Sequence, residues 1–455
     1  MERGKIWRLA LAFGFIASIF LVNFEADRTN FSFIASFYAL AFVFFILIIR
    51  ERNSYNFSHL IILAGAAHFV SMLYAPNLSD DYYRFLWDGE LTWSGINVFD
   101  FTPIELHDQG YMQTAYLKDL YVGMSDLSKD NYSCYPPVNQ LYFIVSSGFT
   151  SSVATNVFIM KLLIVLTEIG GLIYLRKLFL HFNIEPTRLW LLFMNPLLII
   201  ECTGNVHFEG VMISLLCISF YFLFTKKNGI SALIFGLAVQ IKLVPLLLLL
   251  FLLRYMGWKK AFLYYIVSGF VIVGLGMTMI YPRNVMHFLE SLSLYFRVFE
   301  FNSFIFYNYI EFGKLFVDYN PVQIIGPILS GATMITIVFY SFGRKSRTWQ
   351  QLVTRMMFGF FLYMFFGSTL HPWYVLPLLT LSLFTNYTFP VLWSFLIFFS
   401  YFFYSVGDGS SFEVRALVTI EYIILLIYLV IELKQKGSPF KNFRLESYFQ
   451  PRSES

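Results

Sequence analysis

The run SFIASFYALAFVFFILIIR, residues 32–50, carries no charge until Arg50. A bilayer core of about 30 Å is crossed by about 20 apolar residues as a helix, because a helix satisfies its backbone N–H and C=O groups within the segment itself. This stretch therefore predicts a membrane span. Working outward finds eleven more, at 7–24, 59–75, 157–177, 188–204, 208–225, 260–281, 321–342, 350–369, 371–385, 388–406 and 413–433. Composition agrees: of 455 residues 58% are hydrophobic and 13% charged, with 55 Phe, 30 Tyr and 8 Trp, where a soluble domain has roughly 25% charged. Disorder, collagen and a disulfide-stapled scaffold are excluded, and a water-soluble reading is hard to sustain. The net charge of +4 is spread over short segments and leaves no footprint for nucleic acid. Cys134, Cys202 and Cys217 lack ligand spacing, so neither a zinc site nor a disulfide framework is indicated. Met1–Arg8 before an apolar run is reminiscent of a secretory signal, but no small-residue cleavage site follows, so an uncleaved first anchor is expected.

Lys and Arg are retained on the cytoplasmic side of a membrane. With the N-terminus there, 22 of them fall in cytoplasmic segments and 8 in outer ones, while Lys161 and Lys242 lie inside apolar runs. Both termini are thus expected in the cytoplasm, in a multi-pass protein of the cell membrane. Two stretches resist a simple crossing. Residues 230–253 are flanked by Lys226 and Lys227 on one side and Arg254, Lys259 and Lys260 on the other, which predicts a re-entrant hairpin broken near Lys242 and Pro245. Residues 138–153 are read as an interfacial helix, since a full crossing there would move Arg176 and Lys177 outside. The expected fold is an all-α integral membrane protein, a helical bundle of about 12 spans plus the hairpin. It forms one domain over 1–433, followed by a basic cytoplasmic tail at 434–455.

The two long polar segments, 76–137 and 282–320, both fall outside. The first is acidic, and for most of its carboxylates solubility is reason enough. Asp80 and Asp81 differ, because in Ser79-Asp80-Asp81-Tyr82-Tyr83-Arg84-Phe85-Leu86-Trp87-Asp88-Gly89 they directly follow a span. Desolvation and like charge both act on such a pair. If the segment is helical, Asp81, Arg84 and Asp88 share a face, with Arg84 able to stabilise an ionised Asp; acids at a helix start are also favoured by the dipole alone. In Gly204-Asn205-Val206-His207-Phe208-Glu209, which joins two spans with almost no loop, Asn205, His207 and Glu209 sit at the outer boundary, where ionisable groups are costly and suggest function. A His–Glu pair tying helices together is the alternative. Lys242, in Ile241-Lys242-Leu243-Val244-Pro245, lines a polar cavity or snorkels to an interface. His371, in His371-Pro372-Trp373-Tyr374, interrupts two runs on the outer side, beside two aromatic residues suited to interfacial anchoring. Tyr135-Pro136-Pro137 stiffens the entry to a helix. In the second outer segment Arg283, His287, Arg297, Asn302 and Asn308 lie among Phe and Tyr, a strip suited either to an isoprenoid phosphate or to lipid headgroups.

At these residues the chain resembles the GT-C class of membrane glycosyltransferases, and within it the bacterial polyprenol-phosphate-mannose-dependent mannosyltransferases. The resemblance runs from about Pro76 to Tyr404. Its most specific part is Ser79-Asp80-Asp81 with Tyr83–Gly89 and Gly95-Ile96-Asn97-Val98-Phe99, followed by Tyr135-Pro136-Pro137, the Gly204–Glu209 turn, Lys242–Pro245 and His371–Tyr374. In that class the first large outer loop usually follows the first span; here two further spans precede it. The resemblance implies inverting transfer of a sugar, expected to be mannose, from a polyprenyl-phosphate donor to a hydroxyl of a glycan or glycolipid on the outer face. One ionised carboxylate must then take the acceptor proton, a role for Asp80 or Asp81. The leaving phosphate needs fixed positive donors, for which Lys242, Arg84 and Arg297 are candidates. Asp88, Tyr135, Asn205, His207, Glu209 and His371 are expected to bind or orient substrate. No nucleotide-binding signature is present, and no cofactor is expected. A divalent cation is compatible with the acidic cluster, but no metal is predicted, since an acceptor-side role accounts for the same residues. The competing class is a transporter or flippase for an amphiphilic solute, whose polar residues would line a path at mid-depth.

Overall fold

The computed structural model describes residues 2–437 apart from 25, 26, 113, 298, 299, 320, 344, 408 and 410. Most of the expected tail, 434–455, lies outside them. The described residues form a helical membrane protein whose one β feature is an isolated bridge between Phe301 and Thr369. Seven helices are long and apolar enough to cross a bilayer, and a bent pair makes an eighth.

Helices α1 (Glu2–Phe24) and α2 (Phe31–Arg50) pair through buried Phe15, Ile19, Phe45 and Ile48, and α3 (Phe57–Met72) packs on α1. The chain starts α2 where Asn30 accepts a hydrogen bond from Phe33 N–H through its side chain, satisfying a donor the helix leaves unpaired. The acidic segment is folded into α4 (Asp81–Trp93), α5 (Pro103–Asp108), α6 (Ala115–Gly123) and α7 (Asp126–Asp130), and leads into α8 (Pro137–Ser147), a helix over the first part of the run 138–153. Short helices need caps to persist. Thr102 and Glu105 close a reciprocal capping box on α5, and Thr114 and Ser125 cap α6 and α7. Helices α4 and α8 approach closely at Gly89, where a Cβ would collide with the Phe143 carbonyl and the Ser147 hydroxyl. Beside it Phe85 and Phe143 stack at 4.6 Å.

After α9 (Val153–His181) the expected crossing 188–204 is not one helix. It is α10 (Trp190–Phe193), a break at Asn195-Pro196 and a π-helical turn over Leu198–Gly204, bent 107° from α11 (Glu209–Phe224). The Asn195-Pro196 step explains the break, since proline biases the preceding residue away from helix. Then come α12 (Asn228–Val239), α13 (Leu246–Met256) and α14 (Trp258–Gly276). Ser231 meets Tyr264 and Gln240 meets the Ile272 carbonyl, so α12 runs parallel to α14. The Tyr265 hydroxyl donates to the Leu249 carbonyl and only Gly257 separates α13 from α14, so α13 runs back the other way. Two helices of 12 and 11 residues thus go in and return, the geometry expected of the hairpin.

The second long polar segment holds α15 (Val285–Arg297) and α16 (Phe304–Lys314), followed by α17 (Val322–Phe342) and α18 (Trp349–Phe365). The expected crossing 371–385 is a turn at Pro372–Tyr374 and the eight-residue α19 (Val375–Ser382). Helices α20 (Phe389–Leu396) and α21 (Phe402–Val406) are joined by a tighter turn, and α22 (Phe412–Lys436) closes the bundle. Polar ends sort consistently. Arg52 pairs with Glu185, Arg188 donates to the Thr385 carbonyl and Tyr387 to the Gly437 carbonyl at one end. At the other, Arg28 pairs with Asp80, and Ser405 bonds the Thr29 carbonyl.

Candidate active site

The end of the bundle that carries the acidic segment gathers residues from widely separated parts of the chain. Asp81 opens α4, with its N–H donating to Ser79 Oγ at 3.3 Å. Its carboxylate has no ion-pair partner among the described residues and is surrounded by the charges of Asp80, Lys242, Arg28 and Glu209. Burial first, and then the negative charge of Asp80, push the Asp81 carboxyl up to about 6. A group poised there can accept a proton near neutral pH and release it again.

Lys242 stands at the break of the α12–α13 hairpin, ion-paired to buried Glu209 at the start of α11. Its ammonium also lies 5.4 Å from the centre of the Tyr374 ring. The break is held in place because Asn139 N–H, in the first turn of α8, donates to the Gln240 carbonyl at 3.2 Å. Asn205 does the same for the carboxylates: its Oδ1 accepts from Leu78 N–H at 3.0 Å while its Nδ2 donates to the Ile200 carbonyl at 2.9 Å. Between Asn205 and His207, Val206 is left-handed with φ 55°. A β-branched residue there costs of order 1–3 kcal/mol and persists only where packing over-determines it.

Four rings stack in a column beside Lys242. Phe301 lies 4.7 Å from His371, His371 lies 4.6 Å from Trp373 at an interplanar angle of 2°, and Trp373 lies 3.4 Å from His207. His207 Nε2 reaches to 3.5 Å from Glu201 Oε2, and that carboxylate accepts from the Tyr401 hydroxyl at 3.0 and 3.2 Å. The far end of the column is pinned by Asn302, whose Nδ2 donates to Glu421 Oε1 at 3.3 Å and whose carbonyl accepts from the Tyr422 hydroxyl at 3.0 Å. Among the described residues no three His, Cys, Asp or Glu side chains are grouped to hold a metal ion.

Asp80, Asp81, Asn205, His207, Glu209, Lys242 and His371 thus converge. Arg84 and Asp88 do not join them. Arg84 Nε donates to Asp88 Oδ1 at 2.7 Å and its Nη1 to the Ser128 and Asn131 carbonyls, while Asp88 Oδ2 accepts from Ser133 at 2.6 Å and Gln140 at 3.0 Å. With 4% and 0% exposure, this pair knits α4 to the loop above it, and the expected Arg84 contact to the carboxylates is replaced by the one to Asp88. The Tyr135 ring packs edge-on against Phe85 at 4.9 Å, as scaffold. The side chain of Arg297 lies outside the described residues.

Sequence reading does not single out Arg28, Glu201, Tyr401 or Glu421, and it places Asn302 in a lipid-facing strip, not against Glu421 and Tyr422. The one available signal was an acidic residue inside an apolar run, as at Glu201 and Glu421. The same signal marks a fully buried cluster behind the bend. There Lys161 Nζ donates to the Ser71 and Tyr74 carbonyls at 2.9 and 2.6 Å, and His68 contacts Thr203 at 2.7 Å and Glu168 at 3.6 Å. The cavity deeper between α11, α13, α18 and α19 is apolar, lined by Met212, Leu216, Val244, Phe360 and Leu381.

Residues 30–257 match the MptA_B family, alpha-(1->6)-mannopyranosyltransferase, N-terminal domain. No protein with a curated description matches the chain. The family match takes in Asp80, Asp81, Asn205, His207, Glu209 and Lys242 and covers half of the sequence. The chain belongs to this family: it is a membrane-embedded mannosyltransferase, using a sugar donor and a glycan acceptor, and the transporter alternative is set aside.

Proposed function

We propose that this mannosyltransferase draws its sugar from a polyprenyl-phosphate donor and hands it to a glycan hydroxyl on the extracytoplasmic face, with Asp81 as the base. The observation that carries the reading is the convergence of Asp81, the Lys242–Glu209 pair and the ring column at one end of the bundle. The acceptor oxygen attacks the anomeric carbon from the side opposite the phosphate. Its proton passes to the Asp81 carboxylate as the new C–O bond forms, the bond to phosphate oxygen breaks with its electron pair, and the configuration at that carbon inverts. The leaving group changes from phosphodiester to phosphomonoester and gains negative charge. Lys242, partly exposed at 25% and holding Glu209 with one of its three N–H donors, has donors left to meet that charge, which is worth most where water is scarce. Unlike glycoside hydrolysis, no second carboxyl is needed as acid. His207 and His371 are fixed by stacking in one column with Trp373. The extracytoplasmic placement is supported by the 22 to 8 distribution of Lys and Arg.

The test is incubation of the purified full chain, in lipid nanodiscs, with a glycan acceptor and a panel of labelled polyprenyl-phosphate sugars or GDP-mannose. Transfer from polyprenyl-phosphate-mannose alone is expected. Transfer from GDP-mannose instead would overturn the donor assignment.

A further inference from the structure

The turn between α1 and α2 brings in an arginine with no part in the chemistry above. Arg28 Nη1 lies 3.3 Å from Asp80 Oδ1, and its guanidinium covers the Tyr404 ring, 4.9 Å from the centroid. The turn is fixed from both sides. Asp27 Oδ1 accepts from the Thr29 N–H and hydroxyl, each at 2.9 Å. Ser405 Oγ donates to the Thr29 carbonyl at 2.7 Å and accepts from Phe31 N–H at 3.2 Å, and the Phe31 ring packs edge-on against Phe402 at 5.1 Å. Arg28 is therefore delivered in a set position by α1, α2 and α21 together. Its one ion-pair partner among the described residues is Asp80, while Asp81, the next residue, has none. With both side chains about a third exposed, such a pair adds little to stability, so its position asks for another reason.

We infer that Arg28 is a positioning residue that divides the labour of the two adjacent carboxylates: it engages Asp80 in an ion pair and leaves Asp81 as the one that takes the acceptor proton. This rests on the transferase mechanism proposed above. Two neighbouring carboxylates otherwise titrate as a coupled pair and share a proton; a cation bound to one of them breaks the symmetry. The groups facing Asp81 are Asp80 beside it, Arg28 from the α1–α2 turn, Lys242 from the hairpin break, Glu209 from α11, Tyr374 from the turn before α19 and Tyr404 from α21. Arg28 and Lys242 favour the ionised form of Asp81, and Asp80 and Glu209 oppose it. Removing Arg28 therefore moves the Asp81 titration to higher pH, and removing the charge of Asp80 moves it to lower pH.

The experiment is the pH dependence of mannosyl transfer by the full chain in nanodiscs, with polyprenyl-phosphate-mannose as donor, for the native protein, Arg28→Gln, Arg28→Lys, Asp80→Asn and the double variant Arg28→Gln/Asp80→Asn. The acid limb should rise by roughly 0.5–1 pH unit in Arg28→Gln, fall in Asp80→Asn, and return toward the native position in Arg28→Lys and in the double variant. An unmoved acid limb in Arg28→Gln, with rate lost equally at every pH, would overturn the inference, as would an Asp80→Asn protein inactive at every pH. Should Arg28→Gln fail to reach the membrane, an unmoved limb in Asp80→Asn overturns it alone. A native protein that transfers nothing from this donor instead sinks the underlying mechanism and is recognised by that.

Discussion

The start and the middle of helix α4 have opposite fates. At its start Asp80 and Asp81 are half-buried and Asp81 lacks an ion-pair partner among the described residues; one and two turns later Arg84 and Asp88 are buried and each is met by a donor or acceptor. Each place holds an aspartate paired with an arginine, Asp80 with Arg28 and Asp88 with Arg84. What separates a candidate reactive group from a scaffold is whether its hydrogen-bonding capacity is already used. A buried and saturated pair orders the loop, whereas a carboxylate with capacity to spare and a raised proton affinity is available for chemistry.

The contrast can be broken most directly by Asp81→Asn. Loss of the base should lower the transfer rate by about 10² to 10⁴, measured under saturating donor and acceptor, with the protein still extracted as a folded monodisperse species. Asp88→Ala should do the reverse. It leaves Arg84 buried without its carboxylate, a change that costs about 3–5 kcal/mol, so thermal unfolding in detergent should move sharply downward. If Asp88→Ala unfolds like the native protein, the distinction between the two places is wrong. Lys242→Ala should come next, with donor KM raised by roughly 10-fold or more, of the order expected when a charge-assisted contact is lost, and acceptor KM little changed.

The pH profile sharpens the comparison. Because the Asp81 carboxyl is raised to about 6, transfer should fall as pH drops through that value, where the base becomes protonated. The sign for stability is opposite. A carboxyl whose folded value lies above its unfolded one binds more protons when folded, so the fold loses stability as pH rises from about 4 through about 6. Asp81→Asn should then unfold at a slightly higher temperature than the native protein at pH 7 and show no advantage at pH 4. An Asp81→Asn protein less stable at pH 7 would contradict the picture. The smallest effect is expected at Thr102→Ala, which removes one cap of α5 at about 1 kcal/mol, lowering the unfolding temperature slightly with the rate preserved.

Much of this was legible in the primary structure because bilayer thickness and charge placement act locally. The hairpin is a clear case: Lys226–Lys227 and Arg254–Lys260 bracket a run that cannot both span once and keep its cations on one side, and α12 and α13 indeed go in and return. The crossings at 188–204 and 371–385 read as continuous because hydropathy ignores Asn195-Pro196 and Pro372, where the helices break. The choice of partner for Arg84 escapes the sequence for a related reason. Spacing along a helix places it near both Asp81 and Asp88, and only the burial of the loop over α4 decides between them.

The sequence by itself determined that the chain lives in a membrane, where its polar segments gather, and which motifs carry the resemblance to mannosyltransferases, since these follow from apolar run length, cation counts and local residue order. Tertiary structure alone decided that Arg28 meets Asp80 across 52 residues, that Tyr401 meets Glu201 across 200, and that Phe301, His371, Trp373 and His207 form one stack. Such contacts are fixed by how helices distant in sequence pack, and no local pattern of charge or hydropathy encodes the direction in which a side chain finally points.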